Sequence, residues 1–587
     1  MTQAFRNAYH FVPRLPGEEL TLAPSHDRYT GLSGRITCTL TLEQPTVIGG
    51  KRSHTAGDYH RLEQFVFEDD PAIPATSLKG LISSIAEAAS LSRYRVLEDE
   101  ALTVLLPMRK RAESAAEYLE HRKTDLGSVH DYVDGRLKPV TTQESLGLAD
   151  QMFGFVIDKA TGPGSAYAGH VRPSIGTIIS PVTEAFDTSR DYWFDSSPDN
   201  WVRLKELSQP MKGWPKSNAT HRSATPNFYF REKASGSSAF LSKKDFAAGK
   251  SNTYEIQGQK AYLHHLWRDT ADSQPWRTAA IISEDTRREG DKGPAADRKT
   301  AVRPLNKGVK FTFTFDFDNL SEAMLDLLCF ALRPNAAFRH KIGYGKALGL
   351  GSVRIDPEEL VLVDRTKRYG EEEDIFAART AVSENVAIRA ERHAKWLDGK
   401  HPAALKALLL IGETHDFSKD GKATGKDAPP VLWVPLTTEK FGLRNINSEA
   451  EKESYRWFSN NDRARAGNQR LKPIAAGDAA LPILQTESRP GRGGGHNPSQ
   501  TAHGQRDTPQ PQVAGGSQAP LHRNVEGQVT IKGPNFASIR SDHGEVGFSR
   551  SSASIAVWSS LQQGDDVRFD IVAGPAGLIA INIRLDG

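Results

Sequence analysis

The sequence predicts an α+β protein with an all-β module at its C-terminal end, and three observations carry that prediction. From Val309 to Leu332 a strict alternation of Phe311, Phe313, Phe315 and Phe317 gives way to Asp318-Asn319-Leu320-Ser321 and then to an apolar helix pattern. Leu78, Ile82, Ile85 and Ala89 recur at helical spacing behind Pro74. Beyond a Gly-, Pro-, Gln- and Ser-rich stretch from Glu487 to His522, five short strand-like segments separated by turn signals run from Gly527 to Arg584.

Taken in order, residues 1–30 hold an apolar-aromatic arm, Ala8 to Pro13. Arg35 to Leu40 alternates with β-branched residues and reads as a strand. Pro45 to Pro71 is polar and irregular, and a loop of that length inside a domain is usually functional or disordered. Residues 100 to 310 lack a clean period and read as insertions on a smaller core. Within them Lys212 to Arg231 interleaves cations with Trp214, Phe228, Tyr229 and Phe230, a composition suited to single-stranded RNA or to a loop pinned by aromatics. His264 and His265 are neighbours, so they diverge and make a poor chelating pair. Residues 366–484 read as a mostly helical extension, 485–522 as a disordered linker and 523–587 as the β module.

With 587 residues, two to four domains are expected. The 75 basic and 72 acidic residues leave a net charge of +3, so any nucleic-acid surface must come from local clustering. The two cysteines, Cys38 and Cys329, sit in apolar patterns and read as buried thiols in a reducing cytoplasm. The sequence shows neither a long apolar run nor a signal peptide, so no membrane partner is expected.

Two segments stand out chemically. Ile73 to Gly80 reads IPATSLKG: Pro74 sets φ, Thr76 or Ser77 can cap, and Lys79 stands in the first turn of a helix, whose N-terminus attracts anions. Ile342 to Gly351 reads IGYGKALGLG, where Gly343, Gly345, Gly349 and Gly351 surround Lys346 and let backbone approach a phosphate. No Gly-Lys-Ser/Thr follows a four-residue gap, and no dinucleotide fingerprint opens a helix, which argues against nucleotide hydrolysis.

In this order the segments resemble the RAMP superfamily of CRISPR-associated proteins, whose members carry an IPGSSLKG-like helix start and a late GxGKSxGxG-like loop. Ala75 and Ala347 depart from that pattern, while ADQMFG (149–154) and AGHVRPS (168–174) match its middle. The resemblance implies a ferredoxin-like, RRM-related RAMP core over residues 31–365 with large insertions. It also implies a cytoplasmic RNA-binding subunit of a type III-like antiviral complex, with guide RNA (crRNA), target RNA and other effector subunits as partners. Ser77, Lys79 and the glycine-loop residues would then hold RNA, with Lys51 and Arg52 neutralising phosphates.

Type III backbone subunits cut target RNA with an aspartate in the loop before the first helix. By order and distance Asp58 matches it, with Asp69 and Asp70 second, and Mg2+ held at Asp58 would assist attack by the RNA 2′-OH. Other members act as metal-independent endoribonucleases through a histidine, for which His54 and His60 are the candidates; non-catalytic structural or capping subunits form a third class. The C-terminal module resembles a cold-shock domain, an OB-fold barrel, with Lys532, Phe536 and Phe548 in its RNA-stacking strands.

Overall fold

The computed structural model describes residues 5–15, 24–54, 60–105, 123–141, 146–157, 166–186, 201–204, 212–213, 221–223, 229–234, 243–264, 300–365, 379–381, 385–413, 431–432, 469–471, 483–486, 522–532, 536–542, 544–549, 555–574 and 577–585. They fall into two units, Met1–Gly491 and Arg492–Gly587.

The first unit is organised by a short N-terminal strand, β1 (Tyr9–Val12), and a long central strand, β2 (Leu32–Leu42). In β2 the two-residue period sends Ile36, Cys38, Leu40 and Leu42 into the core and leaves threonines on the other face. Next come an antiparallel hairpin of β3 (Gly49–His54) and β4 (His60–Gln64), then strand β5 (Asp70–Ile73) and helix α1 (Ala75–Ala89). The expected irregular loop from Pro45 to Pro71 is therefore largely paired strand. Its second hairpin turns at Glu68 and Asp69, both at positive φ, which suits a two-residue connection.

Past helix α2 (Leu148–Phe153), the short strands β6 (Val171–Pro173) and β7 (Gly176–Ile178) pair with the long phenylalanine strand β9 (Lys310–Leu320); β8 (Gln259–Tyr262) pairs instead with β1. Helix α3 (Glu322–Leu332), capped by the Ser321 side chain, follows, and the chain returns through β10 (His340–Lys341) and β11 (Ser352–Val363). β2 lies between β9 and β11, antiparallel to both, and β6 and β7 lie beyond β9. With α1 after the first long strand and α3 after the third, the strands run fourth, first, third, second across the sheet, the split βαβ plan of a ferredoxin-like fold.

Helices α4 (Val386–Lys400) and α5 (Pro402–Gly412) complete the helical layer. Their Val386, Ala390, Leu397, Leu408 and Ile411 share one apolar core with Leu78, Ile82, Phe315 and Phe330. Arg389, 3% exposed, is held 2.9 Å from Asp326 of α3 and 2.7 Å from Glu322. The N-terminal arm belongs to the same body: Arg14 pairs with Glu87 of α1 at 3.0 Å and lies over the Tyr94 ring.

Aromatics in the expected RNA-binding stretch Lys212 to Arg231 are partly structural. Phe230 is buried against Tyr132 and Phe246, and Tyr229 packs on Tyr9 and Phe11, whereas Trp214 and Phe228 lie outside the described residues. Cys38 and Cys329 are both buried thiols, and burial pushes the Cys38 pKa up. No described helix is long and apolar enough to cross a membrane.

The second unit is a closed barrel. Its strands β12 (His522–Lys532), β13 (Phe536–Ser541), β14 (Gly544–Ser549), β15 (Asp566–Gly574) and β16 (Gly577–Leu585) are joined in the order β12-β13-β14-β16-β15. Val529, Ile539, Val546, Val567, Phe569 and Ile571 fill its interior. Phe548 is there too, 2% exposed and edge-on to Trp558 at 5.7 Å, so its ring is a core element and offers no face to a base. The side chains of Lys532 and Phe536, and residues 487–521 of the linker, lie outside the described residues.

Candidate functional site

A cavity of about 720 Å3 opens where the two sequence motifs meet. Ser77, Gly80, Leu81, Ser84, Ile85 and Ala88 form its α1 wall, and Ile342, Gly343, Tyr344 and Lys346 supply the glycine-loop wall. Gly50 and Arg52 of β3, Lys260 and Tyr262 of β8, Phe338, Arg339, Lys341, and Leu408 and Ile411 of α5 close the rest.

The glycines act chiefly as architecture. Gly343, Gly345, Gly349 and Gly351 have φ between 72° and 98°, where a side chain is strained. A Cβ on Gly343 would collide with the Val47 carbonyl, and one on Gly351 with that of Ile342. The Tyr344 N–H donates to Val47 O at 2.9 Å and the Gly351 N–H to Pro45 O at 3.0 Å, stitching the loop to the segment before β3. Gly349 N–H closes a single helical turn onto Lys346 O at 3.2 Å, so the N–H groups of Gly349 and Gly351 are spent within the fold and do not cradle a ligand. What the loop presents to the cavity is Gly343, Tyr344 and the Lys346 side chain.

At α1 the cap differs from expectation. Pro74 is the N-cap and no side chain caps the helix; Thr76 and Ser77 lie within the first turn. Ser77 faces the cavity, but Lys79, about 200° further round the helix, does not. Burial and Arg95 pull the Lys79 pKa down, and Arg95 itself donates to Gly154 O at 2.8 Å within the ADQMFG segment. On β3, Arg52 lines the cavity and Lys51 is absent from its wall, as alternation along a strand dictates.

Electrostatically the cavity is one-sided. Arg52, Lys260, Arg339, Lys341 and Lys346 line it, and among the described residues the lining holds no Asp or Glu. Arg339 is neutralised from outside by Glu43 at 2.6 Å. Lys341, 9% exposed, gives one hydrogen bond to Leu350 O at 3.0 Å; burial and the nearby Lys346 bring its pKa down to about 7. Lys346 is lowered by burial as well. Lys260 donates to Tyr229 Oη at 3.1 Å and stands 4.0 Å from the Tyr9 ring centroid and 5.1 Å from that of Tyr262; burial brings it to about 8. None of these three ammonium groups has a carboxylate partner among the described residues, and an anionic guest would supply one.

Sequence reasoning missed Lys260, Lys341 and the two tyrosines Tyr262 and Tyr344. Lys341 immediately precedes the glycine motif, and Lys260 sits in the segment noted for its histidines. The buried His264, for its part, is tied to Ser352 Oγ at 2.9 Å.

Of the candidate catalytic residues, the described His60, Asp69 and Asp70 do not line this cavity. Asp58 lies outside the described residues, in the tip 55–59 between β3 and β4, as does the side chain of His54. His60 is 7% exposed within β4, which shields it from solvent. Asp69 and Asp70 are exposed at the second hairpin's turn. Among the described residues no group of three His, Cys, Asp or Glu could hold a metal.

No curated protein matches the chain. A solved structure described as a Type IV-B CRISPR complex aligns over 60% of this chain and 96% of its own, at 13% identity and a TM-score of 0.22. The RAMP superfamily model matches residues 39–354, which span the end of β2, both hairpins, α1, the phenylalanine strand, α3 and the glycine loop. By that match over more than half of its length, the chain belongs to the RAMP superfamily.

Proposed function

We propose that the protein is an RNA-binding subunit of a CRISPR effector complex and that it holds RNA in the cavity between α1 and the glycine loop. The carrying observation is a wall of five cations with no carboxylate among its described residues, combined with Tyr262, Tyr344 and Phe338, because phosphates need the first and bases stack on the second. The open sheet face is a poorer platform. It carries Thr37, Thr39, Thr41, Thr312 and Thr314, and its Arg35 and Arg172 are already paired with Asp316 and Asp318.

Fluorescence anisotropy with labelled RNA tests the proposal. Lys346→Ala combined with Arg52→Ala should weaken binding about tenfold or more and flatten its salt dependence, since each lost phosphate contact removes about one unit of slope. Unchanged affinity at several salt concentrations would refute it. Sequencing the RNA that copurifies with the protein then asks whether it is guide RNA, as this function requires, and whether target RNA and other effector subunits come with it.

Within such a complex we place the protein as a type III-like backbone subunit, with the closed barrel as an OB-fold, cold-shock-like accessory tethered by the linker. Any target cleavage would belong to the hairpin tip that carries Asp58, and Mg2+ would be its cofactor. Incubating guide-target duplex with and without EDTA, using the wild type and Asp58→Asn, decides this. Cleavage lost in both tests supports it, EDTA-resistant cleavage of guide precursor points to histidine chemistry, and no cleavage leaves a structural subunit.

A further inference from the structure

The five lining cations are not equivalent. Arg339 has Glu43, Lys260 has the Tyr229 hydroxyl and two rings, and Arg52 is solvent-exposed. Lys341 and Lys346 form a different pair: they repel one another across the cavity wall, and neither has an ion-pair partner among the described residues. An ammonium has three donors, of which Lys341 uses one on Leu350 O.

Lys341 is buried and Lys346 half-buried, and the two when protonated call for about two negative charges. An internal phosphodiester carries one, on a chain that must both enter and leave. A terminal phosphomonoester carries about −1.5 to −2 at neutral pH, offers three acceptor oxygens, and needs a single entrance. Lys341 is buried, so a strand reaches it more readily by an end than by its middle. Beside the two lysines, Leu81, Ile85, Phe338, Leu408 and Ile411 provide an apolar wall for the base of that same end nucleotide, and 720 Å3 lies within the range of pockets that enclose ligands of such size.

Building on the RNA-binding function above, we propose that the cavity is a receptor for a phosphorylated RNA end, with the terminal phosphate on Lys341 and Lys346 and the terminal base against the α1 and α5 wall. The first arm of the test uses three oligoribonucleotides of one sequence, carrying a 5′-phosphate, a 3′-phosphate, or hydroxyls at both ends, in competition binding to the full-length protein. One phosphorylated form should bind about tenfold more tightly than the hydroxyl form, as charge-assisted contacts to two lysines require, and the position of its phosphate identifies the end received. In Lys341→Met and in Lys346→Ala, each checked to keep a cooperative thermal transition of the first unit, that preference should collapse, while Arg52→Ala should weaken all three forms alike. Equal binding of all three forms by the wild type overturns end recognition; if Lys346→Ala then weakens all three equally, RNA binding in the cavity still stands. If neither lysine variant alters binding of any form, both proposals fall together.

Discussion

Replacing Lys341 by methionine should stabilise the first unit while damaging its ligand binding. Burial and Lys346 lower the Lys341 pKa from 10.5 to about 7, and that difference at ~1.36 kcal/mol per pH unit sets a ceiling of about 5 kcal/mol on the penalty of keeping the charge in the fold. At pH 7.5 the same relation leaves about 4 kcal/mol. Methionine keeps the unbranched stem but abandons Leu350 O, at a cost of about 1–3 kcal/mol for a buried unsatisfied carbonyl. The expected net gain is therefore about 1–3 kcal/mol near pH 7. Because the folded pKa lies below the unfolded one, the unfolded chain holds the extra proton between about pH 7 and 10.5, and wild-type stability should climb with pH through that window. The variant lacks this slope, so its advantage should be largest at pH 6 and shrink to nothing or reverse by pH 10. Urea denaturation at pH 6, 8 and 10 without RNA, with the first unit's transition fitted separately, measures this. A variant less stable than wild type at pH 6, or a difference that does not change with pH, would show that Lys341 is not an uncompensated buried cation.

Other outcomes follow from the same structure. RNA affinity should be greatest below about pH 7 and decline as pH rises through 7 to 8, where free Lys341 and Lys260 lose their protons; His340, held near 4 by burial, contributes nothing to that profile, and a flat titration by anisotropy would contradict it. Gly351→Ala should lower the melting temperature and weaken RNA binding, since it adds a clash with Ile342 O at a φ of 77°, whereas Gly80→Ala, with open space around it, should gain about 0.5–1 kcal/mol of helix stability. Phe548→Ala should destabilise the barrel by about 3–5 kcal/mol, as for other buried aromatics, and calorimetry should show its transition moving alone. Deleting residues 523–587 should weaken RNA binding but leave the first unit's melting transition in place.

Much of the core was legible in the sequence because long amphipathic elements announce themselves. The four phenylalanines of β9 and the spaced apolar residues of α1 and α3 have one face each, and the structure buries those faces together. Glycine positions were legible as well, though their purpose was only half so: positive φ can be guessed from IGYGKALGLG, but that the N–H groups of Tyr344 and Gly351 are consumed by Val47 and Pro45 depends on neighbours far away in sequence. The Pro45–Pro71 hairpins were missed because their strands are polar and short, and their pairing is set by non-local partners such as Thr300–Val302. Phe548 was misassigned because a barrel strand presents alternate residues to two sides, and a one-residue difference in phase exchanges core for surface. Lys260 and Lys341 carry no local signature at all; what distinguishes them is the absence of a carboxylate among the described residues of a wall built from six separate stretches of chain.

The cavity wall includes Val12 from the N-terminal arm and Leu408, Ile411 and Gly412 from α5, and a Cβ on Gly412 would strike the Phe338 ring. These contributions lie outside residues 39–354, the part matched by the family. During synthesis the sheet can therefore form well before the cavity does, and the glycine loop faces an unfinished wall until residue 412 has left the ribosome. A fragment cut to the family boundaries would keep both motifs and lose the enclosure around them, so the proposed RNA site would be complete only in a nearly complete first unit.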